Sequence, residues 1–366
     1  MIARTSRDGR REENTIMAKM NDNKGIVAIE MPRTDGREMW DTIARLHVAP
    51  AVLVAHELKV FRLLAEAPRT LGDICQILGI APRAAVAMLA TCASSGFIRR
   101  DHEHYGLTPV AEEYLLDTSP TSFCGFFDLM VANAASFSYD AIKKALLTDA
   151  TQAYSGDDIF ETHVQDDEKA RAFTRAMHSV SVAPALAWPG LLDLSAHRRM
   201  LDIGGGSGAH CIGAALRWPH LKATVFDLGP ICEIAEEFVA RHGLQGRIDT
   251  QAGDMWKVPF PSADVHFYSL IYHDWAPERC RVLTKKSFDS LEPGGRLIVH
   301  EVLFNDDRTG PMPTAGYNMV MLLWCAGGQQ YSGPQLSMMM AEVGFVDIEV
   351  KPTFGYWSVV TGRKPK

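Results

Sequence analysis

Residues 201–209 read Leu-Asp-Ile-Gly-Gly-Gly-Ser-Gly-Ala. Glycines in such a run allow a tight strand-to-helix turn and let a ligand approach the backbone at a helix N-terminus. Taken alone, Gly204, Gly206 and Ala209 also fit a dinucleotide loop, with Asp227 at about the spacing of its ribose acid. Asp202 favours a different guest. A carboxylate two residues before the first glycine repels a pyrophosphate and suits a cation, such as a sulfonium bearing an amino-acid tail. Asp227 closes the run Thr-Val-Phe-Asp, where an acid can accept from both hydroxyls of a ribose. Gly253-Asp254-Met255 then offers a carboxylate for an adenine amine and a thioether for the ring face. Further on, Tyr272-His273-Asp274-Trp275 sets an imidazole beside a carboxylate, a pairing suited to proton transfer near neutral pH.

Each of these motifs needs an element to position it. Beyond about residue 190, short apolar runs occur at Met200–Ile203, Ala223–Phe226, Val265–Leu270, Arg296–Val299 and Trp357–Thr361. Segments of helical length separate the first four, among them Pro230–His242 and Pro277–Leu291. Alternating strands and helices predict a mostly parallel sheet covered on both faces, with its ligand at the carboxyl ends of the strands. Before residue 190 the pattern is helical. Residues 40–67 carry apolar positions at helical spacing, and Thr70–Gly79 and Ala81–Ala90 read as two further helices. Gly96-Phe-Ile-Arg-Arg and Tyr105-Gly-Leu-Thr-Pro then suggest a short hairpin, so this part has the outline of a winged helix.

Charge argues against a nucleic-acid partner. The 366 residues hold 37 Lys/Arg against 44 Asp/Glu, a net charge of −7. From Asp41 to Leu115 there are seven basic and eight acidic side chains, and Arg83 alone is basic within residues 82–93. A phosphate-contacting face needs several cations. No stretch of about 20 apolar residues predicts a membrane span. Residues 1–24 lack the apolar run of a secretory signal, and Asp8, Glu12, Glu13 and Asp22 are unlike a transit peptide. Residues 1–36 are expected to be a solvated tail. The seven cysteines, at 75, 92, 124, 211, 232, 280 and 325, are dispersed without a CxxC pair, which predicts a reducing, cytoplasmic setting.

Together, the DxGGGxG loop, the strand-end Asp227, the Gly-Asp-Met triplet and His273-Asp274-Trp275 resemble class I S-adenosylmethionine-dependent methyltransferases. The resemblance is to the plant-type small-molecule O-methyltransferases and their bacterial relatives, and it runs from about residue 40 to the end. It implies an α/β fold with a Rossmann-like, mostly parallel sheet, preceded by a helical winged-helix dimerisation domain. The expected division is a tail over 1–36, the dimerisation and substrate-cap domain over 37–188, and the catalytic domain over 189–366. A homodimer through the N-terminal domain is implied, with S-adenosyl-L-methionine as cofactor. Asp202, Gly204 and Gly206 would receive its methionyl end, Asp227 its ribose, and Asp254 with Met255 its adenine. Leu228, Ser269 and Trp275 would complete that site.

His273 matches the general base of the family, with Glu301 and Gln330 beside it. A phenol titrates near 10, so a neutral imidazole can assist its ionisation. Met177 and Met321 match acceptor-contacting positions, and Phe126, Phe127, Met130 and Trp324 are further candidate walls. The sequence departs from the family twice. Gln330 stands where a second glutamate is expected, and His300 stands beside Glu301 where a small or aliphatic residue is usual. His300 is therefore a candidate substrate contact. A small aromatic hydroxyl is the expected acceptor. The alternative is carbon methylation of an α-keto acid or an aromatic ring, for which His273, Asp274 and His300 are conceivable metal ligands. No metal is assigned. A nicotinamide dehydrogenase, a winged-helix regulator and an inactive cofactor-binding module are the rivals from other classes.

Overall fold

The computed structural model describes residues 30–152 and 166–366, so residues 1–29 of the expected tail lie outside the described residues. The chain falls into two compact units that part after His47. Helix α1 (Arg37–Glu57) runs across that point. Met39, Trp40, Ile43 and Leu46 recur on it at intervals of three and four, and all are exposed.

The second unit opens with helical structure. The helix expected over residues 40–67 is interrupted at Lys59, whose φ of 59° is left-handed, and α2 (Val60–Glu66) follows. A two-residue strand β1 (Arg69–Thr70) leads into α3 (Leu71–Leu78). Thr70 and Asp73 form a reciprocal capping box there, satisfying donors that the first turn leaves open. Helix α4 (Pro82–Ser94) starts with proline, which suits a first turn because its missing N–H is not needed there. The expected hairpin forms from β2 (Ile98–Asp101) and β3 (His104–Leu107), with β1 pairing on the other side of β3. Phe61, Leu64, Ile74, Leu89 and Ile98 make this part's core. Helices α5 (Pro109–Tyr114), α6 (Cys124–Ala132), α7 (Tyr139–Thr148) and α8 (Asp167–Ala187) lead on to the sheet.

That sheet has seven strands: β4 (Arg199–Ile203), β5 (Lys222–Asp227), β6 (Ile248–Ala252), β7 (Val265–Ser269), β8 (Arg296–Val302), β9 (Val346–Pro352) and β10 (Trp357–Arg363). Their order is β6-β5-β4-β7-β8-β10-β9, with β10 antiparallel to both of its neighbours. Helix α9 (Ala209–Arg217) follows β4, α10 (Gly229–Arg241) follows β5 and α11 (Pro277–Ser290) follows β7. Helices α12 (Met312–Trp324) and α13 (Gly333–Val343) lie between β8 and β9. One face of the sheet packs Phe267 and Ile298 under Trp188, Ile212 and Phe238. The other packs Tyr268, Leu297 and Val299 under Leu283, Leu336 and Met340. Strand residues alternate between these two layers, as a pleated strand requires. Helices α8 and α9 touch backbone to backbone. A Cβ on Gly213 would lie 2.0 Å from the carbonyl oxygen of Ala185.

Candidate functional site

The carboxyl ends of β4, β5 and β7 open into one cavity of about 670 Å³, closed over by α8, α12 and Phe126 of α6. That volume falls in the range of small-molecule sites. At its base, Gly204 (φ 69°) and Gly206 (φ 54°) adopt the left-handed backbone that turns the chain from β4 into α9. Asp227 ties this loop to the next strand end. Its Oδ2 accepts from the Gly206 N–H at 2.9 Å and its Oδ1 from the Leu228 N–H at 2.7 Å. Burial lifts its pKa to about 6 against these donors. Asp202 lies under the loop, 1% exposed. Its Oδ2 accepts from the Cys211 thiol at 3.5 Å. Burial pushes this carboxyl up to about 7, leaving a site that a cationic guest would relieve.

The far end is built around Asp254. Its Oδ1 accepts from the Trp256 N–H at 2.8 Å, and its Oδ2 is 2.8 Å from Lys257 Nζ. Lys286 Nζ donates to the carbonyls of Met255 and Val258, which pins the loop after β6. The Trp256 and Trp275 rings meet edge-on at 4.9 Å, and the Arg279 guanidinium lies 4.3 Å and 4.2 Å from them. Ser269 lines the cavity and donates to the His300 carbonyl at 3.1 Å.

His273 sits on a 3-10 turn, Tyr272–Asp274, directly after β7. The chain reaches it through Leu270, a non-glycine residue at φ 54°, a local strain held by its surroundings. Glu301 supplies much of that hold. Its Oε1 accepts from the N–H groups of Ile271 and Tyr272, both at 3.1 Å, while its Oε2 lies 3.3 Å from His273 Nδ1. Gln330 Nε2 is 3.1 Å from the same ring nitrogen. On the other side, Asp274 Oδ1 is 3.3 Å from His273 Nε2 and accepts from the Cys325 thiol at 3.3 Å. Burial alone would lower the pKa of His273, but Glu301 and Asp274 outweigh it and raise it to about 9. Burial in turn raises Glu301, and the imidazole restrains that rise. The Tyr317 ring stands edge-on to the imidazole, centroids 5.4 Å apart.

The candidate residues largely converge. Asp202, Gly204, Gly206, Asp227, Leu228, Asp254, Met255, Ser269, His273 and Trp275 line this one cavity, as do Met177, Met321, Trp324 and Phe126. Glu301 and Gln330 stand behind His273, 1% and 0% exposed. Three candidates lie elsewhere. Phe127 packs on the core of the winged-helix part, edge-on to His56, because successive helical residues point about 100° apart and Phe126 takes the cavity side. Met130, a turn further along α6, packs into the cluster around Ala145 and Leu323, behind the wall. His300 is fully buried, with Nε2 2.9 Å from Thr353 Oγ1. Strand alternation sends it to the face opposite Glu301. Among the described residues, no group of three or more His, Cys, Asp or Glu side chains is arranged to hold a metal. Tyr317, Phe173, Ser181 and Arg279 also line the cavity without having been singled out in the sequence. Tyr317 had a signal, since it lies one helical turn before Met321.

Two family models match the chain. Residues 139–346 match the O-methyltransferase domain and residues 40–117 the O-methyltransferase dimerisation domain. The chain belongs to the O-methyltransferase family. Its members draw the methyl group from S-adenosylmethionine. The methyltransferase is 31% identical to the 3-hydroxy-5-methyl-1-naphthoate 3-O-methyltransferase of Streptomyces sahachiroi, over 85% of this chain and 89% of that one. It is 28% identical to the tetracenomycin polyketide synthesis 8-O-methyl transferase TcmO of Streptomyces glaucescens, over 86% and 93% of the two chains. Among solved structures it resembles human N-acetylserotonin methyltransferase in complex with S-adenosylmethionine. The TM-score is 0.80 at 26% identity, over 92% of this chain and 100% of that one. Among the described residues, no single helix of the methyltransferase is long and apolar enough to cross a membrane.

Proposed function

We propose that this methyltransferase transfers a methyl group from S-adenosylmethionine to the hydroxyl of a small aromatic acceptor, with His273 as general base. The observation that carries this reading is the position of His273. Its ring shares a cavity with the glycine loop, while Glu301 backs its Nδ1 from the protein side. S-adenosylmethionine brings an activated methyl group, so the protein has to align the acceptor and take its proton. The Glu301 carboxylate, 3.3 Å from Nδ1, favours a proton on that nitrogen, so that Nε2, beside Asp274, takes the proton of the acceptor hydroxyl. The pKa of about 9 at His273 lies close to that of a phenol, so the proton transfer is nearly balanced. Glu301 and Asp274 then stabilise the imidazolium by charge, and Gln330 holds the ring in place.

Asp202 and the glycine loop receive the methionyl end, where a buried carboxyl without a cation fits an ammonium. Asp227 takes the ribose, and Asp254 with Met255 the adenine. Phe126, Phe173, Met177, Tyr317, Met321 and Trp324 enclose the acceptor in an apolar, partly aromatic space suited to a flat ring. Residues 37–188 form the dimerising cap and 189–366 the catalytic domain. The exposed apolar stripe on α1 supports a homodimer, to be checked by light scattering on the wild type and on Trp40→Glu/Ile43→Glu. The names of the Streptomyces relatives support an aromatic hydroxyl as acceptor.

The deciding experiment feeds methyl-labelled S-adenosylmethionine and a panel of phenols and α-keto acids to the enzyme. Label on a phenolic oxygen is the expected result. Label on carbon alone would replace this reading with carbon methylation.

A further inference from the structure

The floor of the cavity contains an imidazole that no described residue hydrogen-bonds. His210, the second residue of α9, is 4% exposed, lines the cavity, and has no hydrogen-bond partner among the described residues at either ring nitrogen. Buried polar groups are normally paired, so one that faces a cavity marks the place where a guest supplies the missing bond. The ring packs against Phe267, centroids 4.9 Å apart, and edge-on against His300 at 5.3 Å. Phe267 is the register partner of Asp202 on the neighbouring strand, which places His210 under the start of the glycine loop. From α8, His178 reaches into the same region, its Nδ1 2.8 Å from Ser207 Oγ of that loop.

We propose that His210 is a cofactor-binding residue whose imidazole hydrogen-bonds the amino-acid end of S-adenosylmethionine, beside Asp202. This rests on the reading that Asp202 and the glycine loop receive that end. Burial, with His178 nearby, lowers the pKa of His210 to about 3, so the ring stays neutral at working pH. A neutral imidazole offers one N–H and one lone pair. The N–H suits the carboxylate of the tail, while the Asp202 carboxyl suits its ammonium. An aliphatic residue here would pack equally well against Phe267 but would give the tail nothing. The imidazole therefore burdens the empty protein and helps the loaded one.

Calorimetric titration with two probes tests this. S-adenosylhomocysteine carries the amino-acid tail, and 5′-methylthioadenosine keeps the nucleoside but lacks the tail. In His210→Leu the dissociation constant for S-adenosylhomocysteine should rise about tenfold while that for 5′-methylthioadenosine stays within about twofold. The thermal midpoint of the cofactor-free variant should rise, because no unpaired nitrogens remain buried. His210→Gln should recover much of the lost affinity. Wild-type affinity for S-adenosylhomocysteine in His210→Leu, or an equal loss for both probes, overturns the proposal. Asp202→Asn serves as the reference. If it separates the two probes and His210→Leu does not, the role of His210 alone falls. If neither separates them, the orientation of the cofactor falls with it.

Discussion

The two ends of the cavity are built on different principles. The cofactor end is made from backbone: left-handed glycines, strand ends and carboxylates whose oxygens are fixed by N–H groups, as at Asp227. The acceptor end is made from side chains projecting off helices, Phe173 and Met177 from α8 and Tyr317, Met321 and Trp324 from α12. Backbone constrains residue type tightly, because few residues tolerate the loop's φ values or put a carboxylate there. Helix walls accept many side chains of similar volume. The contrast teaches that the cofactor is fixed by geometry, while the acceptor can change by exchange of a few side chains on an unchanged scaffold. His273 lies on the boundary, held by backbone on one side and facing the acceptor on the other.

Substitutions can break that contrast. His273→Ala should lower turnover about 10²–10⁴-fold while S-adenosylhomocysteine binds as before, a split visible in steady-state kinetics beside calorimetry. Unaltered turnover would remove the general base from the scheme. Asp227→Ala should weaken cofactor binding about 10- to 100-fold, since it removes charged acceptors and loosens the glycine loop, with little change in acceptor KM at saturating cofactor. A rise in acceptor KM instead would mean that the two ends are not separable. Met177→Ala should do the reverse, raising acceptor KM about tenfold and leaving cofactor affinity alone.

The smallest effect is the most diagnostic. His273 must be neutral to accept a proton, and its pKa is raised, so kcat/KM should climb with pH through the mildly alkaline range. A further carboxylate favours the charged imidazole. Gln330→Glu should therefore move this limb to higher pH by about one unit. Glu301→Gln, which removes a carboxylate, should move it lower. A limb that ignores both substitutions belongs to another group.

Legibility in the sequence follows the same division. The glycine loop, Asp202, Asp227 and His273 could be read because each lies at or just past the end of an apolar strand run, and Asp254 because it stands in the Gly-Asp-Met triplet; all meet in one cavity. The winged helix and the alternation of strands and helices in the catalytic part were equally readable from period and turn residues. Two strands were not. β6 reads Ile-Asp-Thr-Gln-Ala and β9 Val-Asp-Ile-Glu-Val-Lys-Pro, and both are edge strands with exposed positions, so neither shows a buried apolar run. The acceptor walls were read only in part. Phe126 faces the cavity and Phe127 does not, and only the rotation of α6 separates them. For His300 the period of two in β8 was sufficient: once Glu301 faces His273, its neighbour faces away. The missing carboxylate at Gln330 was visible from the start, but the crowding of two groups on one ring nitrogen needed coordinates.

The contact at Gly213 limits how such an enzyme can be re-engineered. With no room for a Cβ against Ala185, α8 and α9 behave as one casting, carrying an acceptor wall at one end and the glycine loop at the other. Grafting α8 from a relative with a different acceptor would therefore misplace the donor loop unless α9 came with it. The portable unit for changing specificity is this helix pair, and the tolerance of the graft is set where the two backbones touch.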